Sequence, residues 1–248
     1  NGTYDRYRHR IMFPIHDQQG RIIGFGGRAI DPEQKPKYLN SPETVIFQKS
    51  HELYGLFQLL SINKTPEYIL VVEGYMDVIA LAQHGIHHAV AALGTAFGHH
   101  HIQRISKYTK TIICCFDGDQ AGRTAAHRAM EHLIAFMHQG LEVQFVFLPE
   151  KHDPDSLVRE EGTCAFLNRM KKAIPIMIFF EESLSKDLDL SSVSGKTQLL
   201  ERAQPHLLRI PDSPFRHMVL DLLSRRTRID STRIEIMSQH KTPKPSAP

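Results

Sequence analysis

Tyr68-Ile-Leu-Val-Val-Glu-Gly-Tyr-Met-Asp77 and, further along, Thr111-Ile-Ile-Cys-Cys-Phe-Asp-Gly-Asp119 decide how this chain is read. Each is a short, wholly apolar run that ends abruptly in carboxylates. Runs of this kind, without polar alternation, read as strands buried on both faces, as in a parallel sheet. Open α/β sheets bind ligands beyond the carboxyl ends of their strands. Glu73, Asp77, Asp117 and Asp119 therefore fall where a ligand would sit. Carboxylates gathered there repel one another unless a hard cation joins them, and Mg²⁺ suits an all-oxygen site that handles phosphate.

Outward from these two stretches, strands are expected at 68–72, 88–92, 111–116 and 143–148. Helices are expected at about 75–84, 99–107 and 120–138. In the last, Ala125, Ala129, Leu133 and Phe136 recur at helical spacing. Residues 67–165 thus read as a parallel sheet flanked by helices. Residues 1–66 are basic and turn-rich. Ile11–Ile15 and Arg21–Phe25 read as strands around the turn 17–20, and the Pro- and Asn-containing stretch 31–42 as a loop without a regular element. Residues 166–240 read as helical, over 167–180, 196–208 and 215–223, with no convincing strand. Residues 241–248 have a linker composition. The fold class is α/β, mixed α+β overall: a basic β-rich N-terminal segment, a central sheet domain and a helical C-terminal subdomain.

The 248 residues carry 30 Lys+Arg against 27 Asp+Glu, so the net charge of +3 neither demands nor excludes a nucleic-acid partner. A hydrophobic content of 41% is enough for a real core. Three cysteines with no C-x-x-C pair encode no zinc ribbon and fit a reduced, cytoplasmic protein. No apolar stretch is long enough to span a bilayer. The chain starts at Asn1 rather than Met and reads as a fragment of something longer. Of 16 histidines, five cluster at His87, His88 and His99–His101. None pairs with cysteine at zinc spacing, and most are expected at the surface.

Glu73 and Asp77 are four residues apart, and a turn at Gly74 would let both overlook one strand end. For Asp77, a plain helix-capping role is the competing reading. Asp117 and Asp119 alternate, so both side chains could reach one metal. An N-cap role explains Asp119 and leaves Asp117 unexplained. Arg123 stands in the first turn of the following helix, against the macrodipole, which favours a phosphate-binding reason for it. Asp153-Pro-Asp155 alone is an ordinary helix start, yet it is a third acidic pair at a third strand end. Arg28, Lys35, Lys37 and Lys49, interleaved with Tyr38, Asn40 and Phe47, suit single-stranded nucleic acid or nucleotide phosphates; a solvated surface loop is the alternative.

Val71-Val-Glu-Gly-Tyr-Met-Asp77, Ala92-Leu-Gly-Thr95, Phe116-Asp-Gly-Asp119 with Ala121-Gly-Arg123, and Asp153-Pro-Asp155 resemble the toprim fold. The upstream Arg10–Ile15, Gly24-Phe-Gly-Gly-Arg28, Pro36-Lys-Tyr-Leu-Asn-Ser-Pro-Glu-Thr44, Phe47-x-Lys49 and Leu53-Tyr-Gly55 are more specific. They resemble the RNA polymerase core of bacterial replicative DNA primases of the DnaG type, over about Tyr4 to Val158. The resemblance implies catalytic roles for Glu73, Asp77, Asp117 and Asp119. It implies Mg²⁺ or Mn²⁺ held by these carboxylates together with Asp153 and Asp155. It makes Arg28, Lys37, Tyr38, Asn40, Lys49 and Arg123 the residues that handle template and nucleotide. Implied partners are single-stranded DNA, NTPs, the RNA primer and a replicative helicase, with no membrane. The family's zinc-binding and helicase-interaction domains are expected to lie outside this chain. The segment Ala96-Phe-Gly-His99 finds no place in the resemblance.

Other readings use the same residues. A toprim nuclease or topoisomerase would cleave strands with the same metals, though all seven tyrosines lie within the first 108 residues and none in a separate strand-passage domain. A truncated core could bind metal, nucleotide and single strands without initiating. A haloacid-dehalogenase-type phosphatase would want Asp-x-Asp-x-Thr after its first strand, and here Asp119 is followed by Gln-Ala-Gly-Arg.

Overall fold

Alternate residues of the central strands go to opposite cores, and this sorts the molecule into layers. In the computed structural model, which describes residues 4–239, the elements are, in order, β1 (Arg10–His16), β2 (Ile22–Ala29), β3 (Tyr38–Asn40), β4 (Leu53–Tyr54), α1 (Leu56–Ile62), β5 (Ile69–Val72), α2 (Tyr75–Gln83), β6 (Ala89–Ala92), α3 (His99–Ile105), β7 (Thr111–Phe116), α4 (Gln120–Leu133), a 3-10 turn (Ile134–Gln139), β8 (Glu142–Phe147), α5 (Pro154–Met170), β9 (Ile174–Pro175), α6 (Ile176–Ser185), α7 (Val193–Leu207), α8 (Pro214–Thr227) and α9 (Ser231–Gln239). Ile69, Val71, Ile112 and Cys114 face a core shared with α3, α4 and α6–α9. Leu70, Val72, Ile113 and Cys115 face a second core under α2 and α5. Each fully buried Leu or Ile in these layers contributes on the order of 1.5–3 kcal/mol relative to exposure. That explains why continuous apolar runs, not alternating ones, were needed here.

The large sheet has strand order β4-β6-β5-β7-β8-β9. β6, β5, β7 and β8 are parallel, with Leu70 opposite Ala89, Ile69 opposite Ile112 and Cys114 opposite Phe145. The sheet is mixed rather than purely parallel, because β4 and β9 join its edges antiparallel. The fold is accordingly α/β with an added antiparallel sheet and a helical end, and among the described residues no helix is long and apolar enough to cross a membrane.

Several expected boundaries are corrected. The stretch 31–42 contains strand β3, which pairs Arg28 with Tyr38 and Gly26 with Asn40. An edge strand needs hydrogen bonds on one side only, and Pro36 and Pro42 flank the paired residues without entering them. β9 supplies a two-residue strand where none was expected. The helix expected over 167–180 is two helices, broken ahead of Pro175, which lacks the N–H that a continuing helix would use. The helix expected to run to 138 tightens into the 3-10 turn after Leu133 and is closed by left-handed Gly140. The expected linker at 241–248 lies outside the described residues.

The small sheet β1-β2-β3 docks on the large one through a separate cluster of Ile15, Phe47, Tyr75 and Leu93, with Phe13 packed against it. Asn40 Nδ2 donates to the Leu93 carbonyl at 3.0 Å across this joint. The docking places β3 beside the carboxyl ends of the parallel strands.

Gly118 fixes how closely the ends of β7 and β8 approach. Its N–H donates to the His152 carbonyl at 2.9 Å, and a methyl group on it would fall 1.9 Å from the Pro149 carbonyl oxygen. Gly118→Ala must push these two loops apart, and the expected loss is about 1–3 kcal/mol of stability. Urea unfolding checks this; a midpoint equal to the parent would mean that the loops can separate freely.

Candidate active site

Three strand-to-helix turns bring their carboxylates to one end of the sheet. Glu73 follows β5, and its Oε1 accepts the backbone N–H of Asp117 at 2.8 Å, which ties the ends of β5 and β7 together. Asp77 lies in the first turn of α2 and is only 7% exposed. Its Oδ2 accepts the Gly74 N–H at 3.0 Å and its Oδ1 the Asp155 N–H at 3.3 Å. One buried carboxylate thus caps its own helix and also grips the start of α5.

Asp119 is the N-cap of α4 and accepts from Gly122 N–H at 2.8 Å. Asp153 is the N-cap of α5, accepting from Ser156 N–H at 2.7 Å while its own N–H donates to Ser156 Oγ at 3.0 Å. The capping readings of Asp77, Asp119 and Asp153 all hold. Asp155 pairs with Arg159 one helical turn on. Asp117 is the exception: its buried Oδ1 has no hydrogen-bond partner among the described residues.

The electrostatics follow from this crowding. Burial pushes Asp77 up to about 7, with repulsion from Asp153 adding to it and the Gly74 and Asp155 N–H groups opposing it. Burial, then the charges of Glu73, Asp77, Asp153 and Asp119, pushes Asp117 up to about 7. Burial also raises Glu73, against the stabilising Asp117 N–H. Asp153 is different. Burial works against its charge, yet the Ser156 hydroxyl and amide outweigh it, with help from Lys37, and hold it below the usual carboxylate range.

The donor set suits a hard divalent cation: all ligands on offer are carboxylate oxygens, one is buried and unpartnered, and two adjacent groups resist ionising together. Among the described residues no three such side chains already stand as a ligand cage, so assembly around a cation would require side-chain rotation.

The basic residues face the same place. On β3, Tyr38 is 40% exposed. The Arg28 guanidinium lies 5.8 Å and the Lys37 ammonium 5.6 Å from its ring centroid. Its hydroxyl is raised by burial and by the fields of Asp77, Asp153 and Asp155, against Arg28. Tyr38 also stands edge-on to Tyr75 at 5.3 Å. Asn40 keeps a buried Oδ1 with no partner among the described residues. Arg28, Lys37, Tyr38 and Asn40 are therefore gathered beside the acidic cluster. Arg123 instead lies over the Phe147 ring at 5.3 Å, and Lys49 is on the segment leading to β4, its backbone bonded to Glu43 and His101.

Two residues escaped the sequence reading. Tyr75 is a core residue at the joint between the sheets, with a buried hydroxyl that lacks a partner among the described residues. His101 is 1% exposed, whereas His87, His99 and His100 are exposed as expected. The signal for His101 was present: Gly98 and His101 have the spacing of a capping box.

Parallel strands with acidic ends, fronted by a cationic aromatic edge, are the arrangement expected of a toprim-containing core. Residues 70–158 match the family model described as Toprim-like, and residues 1–60 match that of the DNA primase catalytic core, N-terminal domain. Residues 178–232 match the model of the DnaB-helicase binding domain of primase. This last match stands against the expectation that a helicase-interaction segment lies outside the chain; the charged residues of 178–232 are spread along helices rather than grouped, and so gave no motif. The chain is 58% identical over 231 residues to a DNA primase of Legionella pneumophila, covering 93% of this chain and 40% of that one. It superposes on a DNA primase domain from Pseudomonas aeruginosa with TM-score 0.92 and 48% identity, covering 96% of this chain and 74% of that one. A DnaG primase catalytic domain bound to ssDNA gives TM-score 0.86 and 47% identity, with 93% and 73% covered. The chain belongs to the DnaG-type bacterial DNA primases, within their catalytic core. It spans about 40% of the length of the Legionella relative.

The raised carboxylates give a pH prediction. A folded-state value near 7 against an unfolded value near 4 means that the folded chain holds protons that the unfolded chain has lost. Stability therefore falls as pH rises between about 4 and 7. In chelator, Asp117→Asn is expected to melt higher than the parent, by a margin that grows from pH 4 to pH 7.5. With millimolar Mg²⁺ the margin should shrink or reverse, because only the parent gains. Thermal melts across pH check both; a margin independent of pH would refute the assigned crowding.

Proposed function

We propose that the chain is the part of a DNA primase core that builds RNA primers on single-stranded DNA by nucleotidyl transfer. The carrying observation is the pairing of two opposite fields across one joint: Glu73, Asp77, Asp117 and Asp153 at the strand ends, and Arg28, Lys37 and Tyr38 on the facing edge strand. The family membership supports the same reading.

In this reading the 3′-hydroxyl of the growing RNA attacks the α-phosphate of an incoming ribonucleoside triphosphate, and pyrophosphate leaves. Glu73 and Asp117, with Asp119, Asp153 and Asp155, would hold Mg²⁺ or Mn²⁺. The cation would supply charge neutralisation at the reacting phosphates. Glu73 also fixes the end of β7 through the Asp117 N–H, so that Asp117 is presented at a set height. Asp77 acts from behind, holding the starts of α2 and α5 in place. Arg28 and Lys37 would take template or nucleotide phosphates, and the half-exposed Tyr38 ring offers a face for a base. Asn40 spends its amide N–H on Leu93 and keeps its oxygen as an acceptor. Arg123 would steer phosphates at the start of α4 once it leaves the Phe147 ring. The match at residues 178–232 supports a replicative helicase as a partner of the helical subdomain. Replication on DNA puts the site of action in the cytoplasm.

Ribonucleotide incorporation on primed and unprimed single-stranded templates tests the reading. Glu73→Gln and Asp117→Ala are each expected to lose at least about 100-fold in rate, with a thermal midpoint in chelator no lower than the parent for Asp117→Ala. Incorporation near the parental rate in either variant would sink the assignment. Mg²⁺-dependent nicking of supercoiled DNA without incorporation would favour a nuclease.

A further inference from the structure

The buried imidazole at the start of α3 has no part in the metal centre. His101 Nδ1 accepts the Gly98 N–H at 3.2 Å, so Nδ1 carries no proton. Nε2 is then the N–H, and it donates to the Lys49 carbonyl at 3.1 Å. The Lys49 N–H, at the other end of the same residue, donates to Glu43 Oε1 at 3.1 Å. Both backbone polar groups of Lys49 are thus held by side chains, one of them 52 residues away.

The neighbours of Lys49 are held as well. Phe47 is fully buried. The Arg104 guanidinium, on the same helix as His101, takes both carboxylate oxygens of Glu52. The His51 ring lies 3.9 Å from that of His100. Helix α3 therefore acts as a rail for residues 47–52. In contrast, no hydrogen bond or ion pair among the described residues engages the Lys49 ammonium, which is partly exposed.

A backbone fixed at both ends under a free cation is what a phosphate-binding lysine requires. A flexible lysine loses side-chain and backbone freedom on every binding event, whereas a pre-set backbone removes the second cost. We propose that His101 is a positioning residue for Lys49, its neutral imidazole setting the lysine backbone so that the ammonium meets the phosphates of single-stranded template or nucleotide. This rests on the proposed function and on Lys49 belonging, as the sequence resemblance implies, to the residues that handle template and nucleotide. Burial, joined by the positive Arg104 and His51, keeps His101 below the usual histidine range, while its backbone bonds to Lys49 and Glu52 work the other way. His51, Glu52 and Lys49 are the other ionisable groups on the facing segment.

Two substitutions separate this role from simple capping. His101→Asn keeps an acceptor near Nδ1 for the Gly98 N–H but cannot reach Lys49. His101→Gln keeps a donor near Nε2 for the Lys49 carbonyl but loses the cap. Binding of the 248-residue chain to a fluorescein-labelled oligo-dT, followed by anisotropy across a salt series, is the readout. Lys49→Ala is expected to weaken binding and to make the log–log salt slope shallower by about 0.7, one phosphate contact on a single strand. His101→Asn should weaken binding in the same direction and melt lower than the parent, because the Lys49 carbonyl loses its donor. The double variant should bind no worse than Lys49→Ala alone, since the two act through one contact. His101→Gln should restore most of the binding while melting lower than the parent. Parental binding by His101→Asn, or a loss that adds in full to that of Lys49→Ala, would overturn the inference and leave the Lys49 assignment standing. Parental affinity and slope in Lys49→Ala would overturn that assignment and the inference with it.

Discussion

Carboxylates packed at the ends of buried strands are the constraint on which the rest of this molecule depends. Asp77 and Asp117 are both pushed up to about 7, so neither is comfortably charged at neutral pH beside the other. Such an arrangement costs folding free energy unless backbone N–H groups or a cation offset it. The chain does the first wherever a helix start allows it. The N–H groups of Gly74, Asp155, Asp117, Gly122 and Ser156 each point at one of these carboxylates. Among the described residues, the one buried oxygen of this cluster left without a partner is Asp117 Oδ1. That oxygen is where a cation would be most useful.

Capping and chemistry are not rival explanations for these residues. A helix start has unpaired N–H groups that need acceptors, and a phosphate-handling site needs carboxylates at fixed positions. Asp119 and Asp153 satisfy the first need with one oxygen and leave the other oxygen and the charge available for the second. Asp77 uses both oxygens on backbone N–H groups and is 7% exposed. Its geometry is that of a brace between α2 and α5 rather than of a ligand pointing outward. The same device recurs at α3, where the third helical residue again reaches back to a glycine N–H, but with a neutral imidazole in place of a carboxylate. A second acidic cap there would have brought a negative charge to the Lys49 carbonyl, which has no proton to share with it.

Much of this could be read from the sequence because burial writes itself in runs. The tetrapeptide Ile69–Val72 and the hexapeptide Thr111–Phe116 have no polar face, so only a two-sided core accommodates them. Their abrupt acidic ends marked the site. The parts that were not legible depend on pairing with something far away in the chain. β3 exists because Gly26 and Arg28 offer an open edge, a fact that its own Pro- and Asn-rich composition conceals. The antiparallel edges β4 and β9 are two residues each, too short to carry a pattern. The burial of His101 depends on Lys49, 52 residues away. Arg123 had a sound local reason to meet an anion, and Phe147 on the neighbouring strand outcompeted it in the resting geometry.

Tyr75 shows how the two halves of the site are kept in register. It sits between Glu73 and Asp77, yet its ring belongs to the joint with the small sheet, near Phe13 at 4.9 Å, Tyr38 at 5.3 Å and Tyr54 at 5.5 Å. A side chain on Gly26 would meet both the Tyr75 ring and Asn40 Oδ1 at 3.1 Å. The first turn of α2 therefore sets the acidic end of the sheet and also seats the strand that carries Tyr38 and Asn40. Movement of one surface relative to the other would have to open this aromatic joint and expose the unpartnered Tyr75 hydroxyl and Asn40 oxygen. Those two buried polar atoms gain from any such opening, since water would then satisfy them. The joint is thus held by ring packing and relaxed by its polar atoms, which makes it the place where the distance between the cationic edge and the carboxylates is set.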